Sequence, residues 1–250
     1  MPRRTSVELI VMMGMSFFAL SLVGTIALFP PPTEESPPWG KRIVGAAFAM
    51  VCVLGMIAVF FPAECSKAIG HGRVKSSATG SLEERNSEAS VSHLAGIRLV
   101  HGHHPPCHRF RAHEFRLYEK SFCAGCIGLL AGAFCVFIGA ALYFFVGCTI
   151  GQSAYPLFIV PGILGVLVPL LQFHMINVQH TAVRLVINSF FVLGTFLILV
   201  GLDLLLNSFI LDLLVILFSL LWLYTKISLS NWDHERICSL CGPSCDLRTQ

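Results

Sequence analysis

At 250 residues, with 55% hydrophobic and only 12% charged side chains, the chain carries about half the charge fraction of an ordinary soluble domain. Its mean hydropathy of +0.74 excludes disorder as the dominant state, and a net charge of +3 offers no strongly basic face for nucleic acid. A polytopic membrane protein of the all-α class remains, with the lipid bilayer as its first partner.

A bilayer core of roughly 30 Å asks for about 20 apolar residues per helix, because unpaired backbone groups cannot be left in lipid. Six stretches qualify: residues 9–29, 43–61, 127–146, 155–173, 185–202 and 204–224. The first follows Arg3 and Arg4 as the apolar part of a signal peptide would. Its run is too long for that, and Pro30, Pro31 and Pro32 stand where a small-residue cleavage site would be, so it reads as a retained anchor. The fourth contains Pro156, Pro161 and Pro169 and is a candidate for a broken, cavity-lining helix. The last two together make about 40 apolar residues, too many for one crossing, so a turn is expected at 201–203, around Asp203.

This divides the chain into a first pair of spans (1–62), a polar insertion (63–122), a segment of four spans (123–225) and a tail (226–250). An even number of crossings puts the N-terminus, the insertion, the 174–184 loop and the tail on one face. That face holds 15 of the 17 Lys and Arg residues, against Lys41 and Arg42 on the other. It also holds most of the non-membrane residues, which weakens the contrast; the expected location is the cell membrane with both termini cytoplasmic. The opposite face has one real loop, 30–42, whose five prolines make it stiff and too small to hold a site of its own. Residues 75–92 form a polar linker with no apolar period.

After the linker the residue types change. His101, His103, His104, Cys107, His108 and His113 precede Cys123 and Cys126, and the tail supplies His234, Cys238, Cys241 and Cys245. Thiolate and imidazole are the ligands that Zn²⁺ prefers, and a C-x2-C turn lets two sulfurs occupy adjacent corners of one tetrahedron. Cys123, Cys126, Cys238 and Cys241 are the first candidates for such a site, with Cys107, His108, His234 and Cys245 as alternates or a second site. All ten histidines fall on this face, but histidine avoids lipid in any case; the clustering of five within 101–113 carries more weight, although many histidine-rich loops bind nothing.

Neither C-x2-C is followed by His, which excludes c-type haem attachment. The tail lacks the fourth cysteine of a ferredoxin run, so an iron–sulfur cluster is the lesser expectation. A thioredoxin motif needs a βαβ context that is missing here. Seven cysteines lie on this face, an odd number that cannot all pair within one chain, and a reducing cytoplasm favours metal over disulfides. Cys123 and Cys126 open a helix, where the dipole favours thiolate. Cys52, Cys135 and Cys148 read as small packing residues.

At these residues the chain resembles a family of small multi-pass membrane proteins of unknown function, common in archaea. They carry a His/Cys segment, then Ser-Phe, then C-x2-C-x-G at the opening of a helix. The matching positions are Cys107-His108, Ser121-Phe122, Cys123, Cys126, Gly128 and Gly132, with a second patch at Gln179, His180 and Arg184 leading to Gly194. Many relatives place Arg where this chain has Gly125. The resemblance covers about half of the chain, supports the Cys/His cluster and implies no activity.

An ionisable group within a span is costly and invites a functional reading. Asp212 falls inside the last span, near Asn207, and Asn188 lies one turn beyond Arg184; together they suggest a proton or cation site between the last two helices, against the plainer reading of hydrogen bonds between helices. Arg184 could hold an anionic lipid head group or simply mark a helix end. Gly128 and Gly132 read as close helix packing.

The leading expectation is therefore a six-helix membrane protein whose cytoplasmic-face Cys/His elements bind a structural zinc ion. A second is a metalloenzyme or thiol oxidoreductase with an open site, His104 or His113 as general base, and a lipid or quinone as substrate. A third is a transporter or metal sensor using Asp212. Phosphate loops, G-x-S-x-G and H-E-x-x-H are all missing.

Overall fold

A computed structural model describes residues 3–32, 36–60, 91–94, 97–100, 114–117, 120–148, 150–175 and 180–240. Cys107, His108, Cys241, Cys245, His104 and His113 lie outside the described residues, and for His234 and Cys238 the backbone is described but the side chain is not.

Backbone amides that meet no water must pair within their own segment. Among the described residues six runs do so as helices: α1 (Arg3–Leu28), α2 (Gly40–Phe60), α3 (Ala124–Ala140), α4 (Tyr155–Met175), α5 (Thr181–Leu206) and α6 (Phe209–Leu240). Each contributes a stretch long and apolar enough to cross a membrane. A π-helical turn, Ala141–Val146, continues α3 and ends at Gly147, whose φ of +79° needs a residue without Cβ. A 3₁₀ turn, Gln152–Ala154, leads into α4.

The bundle is apolar outside and partly polar inside. Phe18 is 70% exposed and Leu217 60%, whereas Ser16, Thr195, Asp203, Asp212, Thr225 and Lys226 are buried. Such an apolar exterior is a liability in water and a match for lipid.

Helix α5 is the spine, with α3 and α4 packed directly against it. Small residues permit the approach: a Cβ on Gly165 would meet Phe190 O at 2.8 Å and Gly194 Cα at 2.9 Å, and one on Gly132 would meet Ser189 O at 2.7 Å. The Ser189 hydroxyl donates to Gly128 O at 2.8 Å across the same crossing. Helix α1 is tied to α6 by Trp222 Nε1, which donates to Ser16 O at 3.2 Å, and by a 2.8 Å contact between the Ser16 and Thr225 hydroxyls.

Three features differ from the sequence reading. The turn between α5 and α6 is not at 201–203 but at Asn207 and Ser208, where Asn207 adopts a left-handed φ of 45°; Asp203 stays helical. Asn207 is thus a turn residue, and Asp212 belongs to the first turn of α6 instead of the middle of a span. Helix α4 runs unbroken through Pro161 and Pro169, with Lys226 Nζ supplying a contact to Pro169 O at 3.4 Å. Helix α6 extends past residue 224 to Leu240; at 1.5 Å per residue its 32 residues reach about 48 Å, well beyond a bilayer core.

On the insertion, strand β1 (Val91–Leu94) pairs antiparallel with β2 (Ile97–Val100), and β3 (Glu114–Leu117) with β4 (Lys120–Cys123). Strand β4 runs straight into α3, so Cys123 is both its last residue and the residue preceding the helix.

Candidate functional site

Six alternating helices have two ends. The C-terminal end of α1, the start of α2, the π turn, the start of α4 and the α5–α6 turn share one of them, called here the loop end after 30–42. The start of α3, the C-terminal end of α4, the start of α5 and the long extension of α6 share the other, the insertion end.

At the loop end four spans converge on two buried carboxylates. Asp203, in the last turn of α5, and Asp212, in the first turn of α6, are each 1% exposed. The tight turn explains their closeness: Asn207 N–H closes the end of α5 on Asp203 O at 2.8 Å, and Asp212 N–H starts α6 on Ser208 O at 3.0 Å. The Asp212 carboxyl lies against that of Asp203, within reach of a hydrogen bond between them and of the Lys41 charge. Oxygen Oδ2 of Asp203 accepts from Tyr143 OH at 2.5 Å and takes Lys41 Nζ at 2.9 Å. Among the described residues, Oδ1 of Asp203 and Oδ1 of Asp212 have no partner.

Local sequence places each of the other two groups. Tyr143 sits in the π turn, the kind of widened helix found often at functional positions. Gly45 lets α2 lie on that turn, since a Cβ there would collide with the Phe144 side chain; Lys41, one turn earlier, is thereby brought over the Tyr143 ring at 5.2 Å from its centroid. The connecting loop closes over the turn, with Ser36 N–H donating to Asn207 O at 2.9 Å and Trp39 edge-on to Phe209 at 5.4 Å. Asp203, Tyr143 and Lys41 were not among the residues singled out from sequence for chemistry. A charge flanked by apolar residues on both sides was the available signal at Asp203, and it was read as a turn.

At the insertion end Arg184 is central. Its guanidinium lies 4.0 Å from the Asp233 carboxylate, with both side chains mostly buried, at 13% and 15% exposure, and it interacts with Cys123. Lys226, also missed from sequence because the span was ended at 224, is buried beside α4 and lies over the Phe191 ring at 5.7 Å. Asn188 donates to Arg184 O at 2.6 Å, a bond within its own helix near the start of α5, so it lies at the opposite end of the bundle from Asp212 and forms no site with it. Cys123 and Cys126 are both partly buried at the start of α3. Among the described residues no three His, Cys, Asp or Glu side chains converge in a way that could hold a metal ion.

No family model, curated protein or solved structure matches the chain. The functional reading therefore rests on these two ends.

Proposed function

We propose that the chain is a six-span membrane protein that takes up and releases a proton at the Asp203–Asp212 pair, acting as a transporter that carries protons across the membrane. One observation carries this: two fully buried carboxyls face each other and, among the described residues, each has an oxygen lacking a partner while a single lysine supplies one positive charge. Two carboxylates and one ammonium leave one uncompensated negative charge in a low-dielectric interior, which is costly. A proton shared between two facing carboxyls removes that charge and satisfies the open oxygens, as in carboxylate dyads generally. Flux tests the reading: vesicles holding the full chain and a trapped pH-sensitive dye should dissipate an imposed proton gradient faster than empty vesicles, and Asp212→Asn should abolish the difference. Equal rates for wild type and Asp212→Asn would remove it.

A second reading concerns the insertion end. Arg184 joins Cys123, just before α3, to Asp233 on α6, and His234 and Cys238 follow Asp233 on the same helix. This neighbourhood supports a structural zinc site built from Cys123 and Cys126 with tail residues, on a cytoplasmic face. Metal analysis of purified protein should find about one zinc per chain, lost with Cys123→Ser; a zinc-free protein would overturn it.

A further inference from the structure

The loop end contains a feature that proton binding alone does not require. The carboxyls are closed off, yet the Lys41 side chain that neutralises them is 44% exposed while Asp203 is fully covered. Lysine carries its charge on a long flexible stem. Among the described residues its Nζ meets only Oδ2 of Asp203, already served by Tyr143 OH, and leaves the two Oδ1 atoms open.

Building on the proton-binding reading, we propose that Lys41 is a tethered counter-ion that competes with protons for the carboxylate pair and leaves it when the pair is fully protonated. Charge balance defines the two states. With Lys41 on Asp203, one shared proton makes the site neutral: two negative charges, one ammonium, one proton. With Lys41 withdrawn to solvent, two protons are needed, one on each carboxyl, and the site is again neutral. Conversion takes up one proton and releases one ammonium from the interior, so no net charge stays buried in either state. Among the described residues, the charged or titratable groups that meet the pair are Lys41 from α2 and Tyr143 from the π turn. The Tyr143 ring gives the ammonium a resting surface, and the exposure of Lys41 makes the loop end the side from which protons arrive.

Removing the tether should ease proton binding. In purified full-length protein carrying Cys148→Ser, because Cys148 is exposed at the same end, proton uptake is followed with an indicator dye during stepwise acidification. Adding Lys41→Cys should shift half-uptake to an about tenfold lower proton concentration, the equivalent of one unit of pH. A methanethiosulfonate reagent bearing an ammonium should restore the original curve, and one bearing a sulfonate should not; the rescue also shows that the variant is folded. A Lys41→Cys curve superimposed on the parent, or equal effects of the two reagents, would overturn the tether. Loss of uptake in Asp212→Asn keeps the proton-binding reading in either case; unchanged uptake in Asp212→Asn would remove that reading itself.

Discussion

The two ends of the bundle differ in opposite senses in sequence and in structure. By sequence the insertion end has every histidine and most of the charge. Its described charged groups have partners, Arg184 with Asp233 and Lys226 with Pro169 O, while among the described residues the Gln172 side-chain oxygen is buried without one. The loop end has a short proline-rich connection and far fewer charges in sequence, yet it holds two carboxyls at 1% exposure. A count of polar residues therefore measures solvated chain. In a membrane protein a few charges in low dielectric carry more energy than many at the surface, because each must be compensated locally.

Mutations can break or sharpen this contrast. The largest effect is expected from Asp203→Ala, which strips Lys41 and Tyr143 of their acceptor and isolates Asp212; thermal unfolding in detergent should show a loss of about 3–5 kcal/mol. The double variant Asp203→Asn with Asp212→Asn keeps the shape and removes both charges, so it should lose less than Asp203→Ala alone. A larger loss in the double variant would mean that the pair is a structural fastening and no more. Next comes packing: Gly165→Leu forces α4 and α5 apart and should cost about 1–3 kcal/mol by the same measurement. At the insertion end, Arg184→Ala and Asp233→Ala each open a mostly buried but loosely held pair, 4.0 Å apart, and should cost about 1–3 kcal/mol, the double variant little more than either. If this pair outweighed the carboxylates, the contrast between the ends would be reversed. Ser16→Ala, which removes one hydroxyl contact between α1 and α6, should cost about 0.6 kcal/mol.

The six spans were legible in the sequence because lipid leaves no alternative to about 20 apolar residues in a row. The packing role of Gly128 and Gly132 was legible for a related reason, since only small residues admit a neighbouring backbone. The α5–α6 turn was not. Gly201 and Asp203 resemble a break, but Gly201 is a packing surface against Ile159, and the aspartate is tolerated in the helix because its partners come from other spans. Tyr143 lies 60 residues before Asp203 in the chain, and nothing local in either segment announces the other. The reversal instead uses Asn207, a residue able to take a left-handed backbone conformation. Asp212 was visible as a costly charge but not its pairing, and Lys41 served in the sequence only as a marker of orientation.

The central claim is that the Asp203–Asp212 pair holds one proton beside Lys41. Infrared difference spectroscopy of the full chain at neutral pH tests it most directly. The account predicts a band from a protonated carboxyl in the wild type, shifted on transfer to heavy water and absent from Asp203→Asn and Asp212→Asn. A wild-type spectrum without that band, or a band that survives both substitutions, would contradict it.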